Sequence, residues 1–209
     1  MRLLLGSVAS VSLLIGCSSG GGETSSGTGT ETVNNFATET VTNIEQPIDG
    51  VFTGDPASDP ARGKPAPIIT TNQNVWPAED KYTVMFSIAH WCPHCDDELP
   101  NIIDAAQSAS DDVEVVLVSS AEDKTADNFP GDEWIRSKGW EGVVIDDTPT
   151  SAVLQSFGSN SFPFAMVVGP DGNVISRTVG SLDSATIEMM MQQPELIESK
   201  LDTYLLEAN

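Results

Sequence analysis

The sequence predicts an α/β domain preceded by a long arm, and three observations support this prediction. After about residue 67, short β-rich runs alternate with stretches whose apolar residues recur at helical spacing. Two of the β-rich runs flank residues 169–173, whose Asp-Gly step suits a tight turn. The chain has 209 residues, which is enough for one sizeable core and a further segment.

Five strands are expected in the domain. Residues 82–89 and 113–119 are apolar runs of the kind found in buried strands, and residues 143–145 form a shorter run of the same kind. Residues 164–168 and 174–179 lie on either side of the turn, so we expect them to form an antiparallel hairpin.

Helices are expected between and after these strands. Their predicted starts are the region of Cys92, a position near Ala126 or Asp132, a position near Thr150, the residue after an Asp183 N-cap, and Pro194 in a first turn. The last helix has a predicted apolar stripe formed by Leu196, Ile197, Leu201, Tyr204 and Leu205.

Residues 1–17 predict an export signal. They contain one basic residue, Arg2, and an apolar run that is too short to span a membrane comfortably. They end in Leu-Ile-Gly-Cys, which resembles the bacterial lipobox, where cleavage before the cysteine is accompanied by lipid attachment to its sulfur. The alternative is an ordinary signal peptide with an incidental cysteine. We therefore expect an exported protein that is lipid-anchored through Cys17 on the extracytoplasmic side of the membrane.

Residues 18–60 are expected to form a disordered tether, and residues 61–209 the folded domain. Up to about Asn43 the sequence is mostly Gly, Ser, Thr and Glu, which bury too little apolar surface to offset the entropy of ordering. Prolines and glycines continue the irregular chain, and residues 63–67 mark the start of the compact domain.

The net charge excludes nucleic acid as a partner. The chain has 31 acidic and 9 basic residues, which gives a formal charge of −22. Such a charge repels phosphate backbones and anionic lipid head groups.

Residues 88–100, IAHWCPHCDDELP, contain two of the three cysteines and could form a redox pair or a metal site. A strand leading into a helix near Cys92 places that sulfur at a helix N-terminus, where free N–H groups favour the thiolate. Cys95 follows one turn later on the same face, which suits reversible disulfide formation. A structural zinc site needs four ligands, and His90 and His94 would have to complete it within six positions. The redox pair is favoured, with zinc or transient copper as alternatives.

The segment WCPHC at residues 91–95, followed by Glu-Leu-Pro at 98–100, resembles the TlpA/ResA group of thioredoxin-like proteins. These are exported thiol-disulfide oxidoreductases that are often tethered to membranes. The resemblance includes the motif at 63–67 and the proline loop and hairpin from residue 162, and it covers roughly residues 61–206. It implies a thioredoxin-like fold, with a central mixed β-sheet flanked by helices, N-terminal antiparallel edge elements and a C-terminal helix. It also implies catalysis by the two cysteines without a bound cofactor or metal.

One departure from the wider thioredoxin pattern concerns proton transfer. Many thioredoxins carry a buried carboxylate six residues before the first cysteine, where this chain has Phe86. Glu98 lies within one turn of Cys95 on the same helix, and the TlpA/ResA group has an acid there that could exchange the proton of the second cysteine. The alternative is a solvated carboxylate like those of Asp96 and Asp97.

Pro163 resembles the proline that thioredoxins hold after a cis peptide bond, facing the cysteines. The resemblance implies that Phe162 offers its backbone N–H and C=O to an extended substrate strand. Its size predicts a narrower or more apolar groove than is usual. The alternative for Pro163 is a trans proline at the start of a strand. Trp91 is expected to cover the cysteine pair, with simple packing as the alternative.

The dipeptide between the cysteines, Pro93-His94, is that of the strongly oxidising DsbA family. There the histidine favours the exposed thiolate and so stabilises the reduced state. The alternative for His94 is an exposed helix residue without a redox role. The rest of the domain resembles a group known mainly for reducing extracytoplasmic thiols, including those of apocytochrome c.

The sequence therefore predicts an extracytoplasmic thiol-disulfide oxidoreductase that exchanges disulfides with exported proteins and leans towards oxidation. Cys92 would form the mixed disulfide and Cys95 would resolve it. One alternative is a TlpA/ResA-type reductant fed by a membrane redox partner. Another is a copper carrier that uses both cysteines and one histidine, since thiolates and imidazole suit Cu(I).

Overall fold

The computed structural model describes residues 38–197, apart from residues 53, 56 and 57. The predicted export signal, the lipidation site Cys17 and the tether up to residue 37 lie outside the described residues. The elements, in chain order, are β1 (Thr38–Glu45), β2 (Ile68–Thr71), β3 (Val75–Trp76), β4 (Tyr82–Ile88), α1 (Pro93–Ala106), β5 (Val113–Ser119), α2 (Gly131–Ser137), β6 (Val143–Asp146), α3 (Ala152–Ser156), β7 (Phe164–Val168), β8 (Val174–Val179) and α4 (Ser184–Gln192).

The strands form one mixed sheet in the order β3-β2-β1-β6-β5-β4-β7-β8. Strands β1, β6, β5 and β4 run parallel to one another. The β7–β8 hairpin continues the sheet antiparallel on one side, and β2 and β3 do so on the other. This arrangement is the thioredoxin-like fold that was predicted, including the antiparallel elements near the N-terminus.

Alternate residues of β4 face opposite sides of the sheet, because successive side chains of a strand point in opposite directions. Val84 and Phe86 pack into an apolar cluster with residues of α1, α2 and α4. Met85 packs into a second cluster with residues of α3 and with Phe52. Burial on both faces explains why the sequence of β4 is apolar almost throughout. Phe86, at the position where many thioredoxins carry an acid, is fully buried core.

The predicted helix starts agree with the structure. Helix α1 begins directly after Cys92, α2 begins at Gly131 and α3 at Ala152. Helix α4 has Asp183 as its N-cap, whose carboxylate accepts a hydrogen bond from the Thr186 N–H at 2.7 Å. A further helix starts at residue 195, but from residue 198 onwards it lies outside the described residues.

The predicted apolar stripe of the last helix is described only at its first two positions. Ile197 is buried, whereas Leu196 is 39% exposed. In the described part of the chain, none of the helices combines the length and the apolar character needed to cross a membrane.

The predicted boundary between tether and domain at residue 61 is wrong, because residues 38–60 belong to the domain. Strand β1 lies inside the sheet, parallel to β6 and antiparallel to β2. Its sequence, TETVTNIE, is mostly polar, so it lacks the run of apolar residues that predicts a buried strand. The carboxylate of Glu39, which is 2% exposed, accepts hydrogen bonds from Thr71 Oγ1 at 2.7 Å, from Trp76 Nε1 at 3.0 Å and from Asn74 Nδ2. Donors from β2, β3 and their turn therefore compensate for the burial of this charge.

A buried ion pair joins the segment just before residue 61 to β8, the strand at the end of the sheet away from β2 and β3. Arg177 of β8 and Asp59 are both buried, and Arg177 Nε donates to Asp59 Oδ2 at 2.8 Å. A second guanidinium nitrogen of Arg177 donates to Asp59 Oδ1, and the third donates to the Phe157 carbonyl oxygen at 2.7 Å. The described residues between β1 and residue 61 are irregular, as predicted, but this pair attaches them to β8.

Candidate active site

The two cysteines lie where β4 leads into α1. Cys92 has extended backbone angles and caps the helix, and Pro93 is the first helical residue. The N–H groups of Cys95 and Asp96 both donate to the Cys92 carbonyl oxygen at 3.1 Å. Cys92 is 7% exposed, Cys95 is fully buried, and both are free thiols. Both cysteines are therefore largely buried, but Cys92 lines a cleft that opens to solvent whereas Cys95 does not.

Burial raises the pKa of the Cys95 thiol well above its ordinary value. A hydrogen bond to Cys92 acts in the same direction, as does any negative charge on the neighbouring Cys92 or Glu98, whereas a hydrogen bond with the Ala89 backbone opposes the shift. Cys95 is therefore protonated at neutral pH, and Cys92 is the sulfur that an approaching partner meets first. This arrangement agrees with the predicted order of roles, in which Cys95 acts second.

Glu98 lies on the buried face of α1 with Cys95, and it is 4% exposed. Its Oε1 accepts a hydrogen bond from the Leu182 N–H at 3.3 Å. Its Oε2 is buried and has no hydrogen-bond partner among the described residues. Burial raises the pKa of this carboxyl, although hydrogen bonds from Leu182 and Ser181 partly oppose the shift. The alternative of a solvated carboxylate is therefore wrong for Glu98, whereas Asp97 is exposed.

Trp91 and Phe162 bring two aromatic rings together beside the pair. Their ring centroids are 5.8 Å apart and the rings meet edge to face at 83°. Trp91 is 45% exposed, so it borders the cysteines at the surface rather than sealing them off. Phe162 packs against the apolar cluster that contains both cysteines. The Phe162–Pro163 peptide bond is cis, as the resemblance implied, and the Pro163 carbonyl accepts a hydrogen bond from the Gly180 N–H at 2.8 Å.

Pro93 and His94 are both exposed on the first turn of α1. This position places the imidazole at the same helix end as Cys92. The effect of His94 on the redox properties of the pair stays a prediction.

The sequence predicted no role for His90 other than as a possible metal ligand. The structure places it in the wall of the site. It is 1% exposed, and both of its ring nitrogens are bonded to backbone groups of the segment after β5. A cleft of about 480 Å³ opens next to it. The cleft is lined by His90, Trp91, Cys92, Pro93, Asp96, Thr125, Ala126, Asp127 and Asn128.

The described residues contain no group of three His, Cys, Asp or Glu side chains placed to hold a metal ion. Because the nitrogens of His90 are already engaged, only His94 has an imidazole free to join the two thiols. The geometry thus gives no support to the zinc or copper alternatives.

Comparison with known proteins agrees with this fold. Residues 80–174 match the model of a family described as thioredoxin-like. A curated relative, probable nucleoredoxin 1 from Arabidopsis thaliana, is 23% identical over 105 residues, which are 49% of this chain and only 18% of that protein.

Two solved structures illustrate the likeness. StoA from Bacillus subtilis has a TM-score of 0.49 at 15% identity, and the match covers 68% of this chain and 96% of StoA. A thiol:disulfide interchange protein of the thioredoxin family from Chlorobium tepidum has a TM-score of 0.49 at 22% identity, covering 64% of this chain and 99% of that one. The fold and the site together define a thioredoxin-like domain with a Cys-Pro-His-Cys pair at the start of its first helix.

Proposed function

We propose that this protein is an exported thiol-disulfide oxidoreductase that exchanges disulfides with other exported proteins through Cys92 and Cys95. The observation that carries the proposal is the pairing of Cys92, which sits at a helix N-terminus and lines an open cleft, with a fully buried thiol one turn later. Such a pair can form a mixed disulfide with a partner and then resolve it internally.

In the oxidising direction, the reaction starts from a Cys92–Cys95 disulfide. A substrate thiolate attacks the Cys92 sulfur, the enzyme disulfide breaks, and Cys95 leaves as a thiolate. Glu98, whose raised pKa favours the protonated carboxyl, gives its proton to Cys95. A second substrate thiolate then attacks the substrate sulfur of the mixed disulfide and releases the Cys92 thiolate. The substrate is oxidised by two electrons and the enzyme pair is reduced.

In the reducing direction, the same steps run backwards. The Cys92 thiolate attacks a substrate disulfide and one substrate sulfur leaves. Glu98 takes the proton of Cys95, and the resulting thiolate attacks the Cys92 sulfur to release the second substrate thiolate. The Pro93-His94 dipeptide supports the oxidising direction, and the resemblance to the TlpA/ResA group supports the reducing one. A membrane redox partner would regenerate the pair in either case.

The experiment that tests the proposal compares purified full-length protein with its Cys92→Ser variant. The wild type is expected either to oxidise a reduced peptide dithiol or to reduce insulin, and Cys92→Ser to do neither. Absence of exchange in both assays, together with stoichiometric copper in the purified protein, would replace the proposal with the copper carrier.

The substrate can be captured through the resolving cysteine. Cys95→Ala cannot resolve the mixed disulfide, so it is expected to accumulate covalent complexes with exported proteins in cells. Cys92→Ala with Cys95 intact is the matched control and should capture none. Equal capture by both variants would contradict the assigned order of attack.

The export signal and the lipobox support a location on the extracytoplasmic face of the membrane, with an anchor at Cys17. Mass spectrometry of membrane-extracted protein should find a diacylglycerol group on Cys17 as the first residue. An unmodified soluble form that starts elsewhere would contradict the anchor and leave the redox proposal untouched.

A further inference from the structure

The segment of residues 121–128, here called the strap, forms one wall of the cleft beside Cys92. It follows β5 and leads towards α2. Its residues 125–128 line the cleft opposite the active-site segment that contains Trp91, Cys92 and Pro93. A polypeptide that presents its sulfur to Cys92 from this cleft must contact the strap.

Four hydrogen bonds attach the strap to His90 and Trp91, the two residues directly before Cys92. Trp91 Nε1 donates to the Ala121 carbonyl oxygen at 2.6 Å. His90 Nδ1 lies 2.7 Å from the Asp127 carbonyl oxygen, and the Asp123 N–H donates to His90 Nε2 at 3.1 Å. The amide of Asn128 donates to the His90 carbonyl oxygen at 3.2 Å. Three of these four bonds involve His90.

The two ring contacts indicate which nitrogen of His90 donates and which accepts. A carbonyl oxygen can only accept, so Nδ1 carries a hydrogen, and Nε2 accepts from an N–H, so it carries none. These two contacts correspond to the Nδ1–H tautomer. One buried ring thereby joins residues 123 and 127, which lie near the two ends of the strap.

Glu122, near the end of the strap that follows β5, links the strap to the first residue of α2, and its Oε2 also lies 3.7 Å from His90 Nε2. The carboxylate of Glu122 accepts hydrogen bonds from the Gly131 N–H at 3.1 and 3.2 Å and from Ser119 Oγ at 2.6 Å. A Cβ atom on Gly131 would lie 2.2 Å from Ser119 Oγ and 2.3 Å from Glu122 Oε1, so a larger residue there would displace both groups. The strap is thus held at its base by Glu122 and against the active site by His90.

We propose that His90 is a positioning residue that holds the strap as the wall on which a substrate polypeptide lies next to Cys92. The inference rests on the function proposed above and assigns the strap to polypeptide recognition rather than to thiol chemistry. Both ring nitrogens are engaged with backbone groups of the strap, so the imidazole acts through the strap. A small disulfide that reaches the Cys92 sulfur without touching the wall is independent of His90.

The kinetic test compares a polypeptide substrate with a small one. His90→Gln is expected to raise KM for a ten-residue peptide carrying one mixed disulfide by about fivefold to tenfold, as for the loss of one or two hydrogen bonds, with kcat unchanged. The rate with the small aromatic disulfide 5,5′-dithiobis(2-nitrobenzoic acid) should stay within about twofold of wild type. Equal losses with both substrates, or an unchanged peptide KM, would overturn the proposal.

Asn128→Ala tests the same wall without altering the imidazole. It is expected to raise KM for the peptide, whereas the matched control Asn101→Ala, on an exposed position of α1, should not. An effect of equal size in both variants would contradict the role of the strap. This pair also keeps the test open if His90→Gln does not fold.

Nitrogen NMR of the imidazole checks the hydrogen bonds on which the proposal rests. In wild type the ring hydrogen should be found on Nδ1, and the Nε2–H tautomer would overturn the geometry. The outcome for the proposed function is separate. If the wild type exchanges with neither the peptide nor the small disulfide, that function is refuted. If the wild type is active and His90→Gln behaves like it with both substrates, only the role of the strap is refuted.

Discussion

At the scale of single residues, the site depends on two neighbouring groups that both resist ionisation. Burial raises the pKa of the Cys95 thiol and of the Glu98 carboxyl. Negative charge on Glu98 also disfavours the Cys95 thiolate. Glu98 is thus a buried carboxyl one turn from Cys95, whereas Phe86 occupies the position where many thioredoxins carry an acid.

Glu98→Gln should slow disulfide exchange at neutral pH by about tenfold to a thousandfold, because glutamine cannot carry the proton of Cys95. Rapid-mixing measurements of mixed-disulfide resolution would show the loss directly. Asp97→Asn is the matched control, since Asp97 is exposed on the same turn. Unchanged kinetics in Glu98→Gln would show that the buried carboxyl has no part in proton transfer.

Glu98 should also make stability depend on pH. Its pKa is raised in the folded domain, so above the ordinary carboxyl pKa the folded state holds a proton that the unfolded chain has lost. Stability is therefore highest below that ordinary value and falls as pH rises towards the raised one. Urea unfolding of the reduced protein between about pH 4 and about pH 8 should show this fall in wild type and a shallower one in Glu98→Gln. Parallel curves for the two proteins would rule out this titration.

At the scale of secondary structure, the N-terminus of α1 and strand β1 have the largest consequences. Helix α1 places Cys92 at its positive end with His94 on its first exposed turn. Strand β1 shows how a polar segment becomes an interior strand of the sheet, because one buried carboxylate collects three donors from the β2–β3 region.

The N-terminal end of α1 should determine whether the cysteine pair oxidises or reduces its substrates. If the helix N-terminus and His94 favour the Cys92 thiolate, the reduced domain is stabilised relative to the disulfide form, and the pair is an oxidant. Denaturant unfolding at neutral pH should then find the reduced form more stable by about 3 kcal/mol. His94→Pro should shrink that difference. A more stable oxidised form would favour the reductant instead.

Glu39 should be essential for the docking of β1. Glu39→Ala leaves Trp76 Nε1, Thr71 Oγ1 and Asn74 Nδ2 without their acceptor in a buried setting, which should cost about 3 kcal/mol of unfolding free energy. Glu45→Ala, at the exposed end of the same strand, is the control and should cost little. Urea unfolding measures both, and equal effects would contradict the central role of the carboxylate.

At the scale of the whole domain, long-range polar contacts define where the folded unit begins. The Asp59–Arg177 pair joins residues 118 positions apart and draws the segment before residue 61 onto the sheet. This contact attaches that segment to the folded domain, so we expect the segment to unfold together with it.

Asp59→Asn should therefore destabilise the whole domain by about 3–5 kcal/mol, because it leaves the Arg177 charge buried without its partner. Asp49→Asn, at an exposed position in the same region, should have almost no effect. Denaturant unfolding followed by two spectroscopic probes would test this prediction. A loss confined to local opening of the segment would show that residues 47–60 are not part of the cooperative unit.

The sequence by itself determined the alternation of strands and helices from β4 to α4, the hairpin, the helix starts and the cysteine pair. These features depend on periodicity, turn chemistry and spacing within a few residues. They can therefore be predicted from the sequence without knowledge of the tertiary structure. The buried face of α1, which places Glu98 beside Cys95, follows from the same local periodicity.

Only the tertiary structure decided the membership of β1, the ion pair of Asp59 and the wall formed by the strap. Glu39 and Thr71 are 32 positions apart, and His90 and Asp123 are 33 apart. In the sequence of a short segment, a polar residue that is hydrated cannot be distinguished from one that is buried against a donor from a distant part of the chain. The free energy of its burial depends on which groups the fold brings to it, and local sequence carries no record of that.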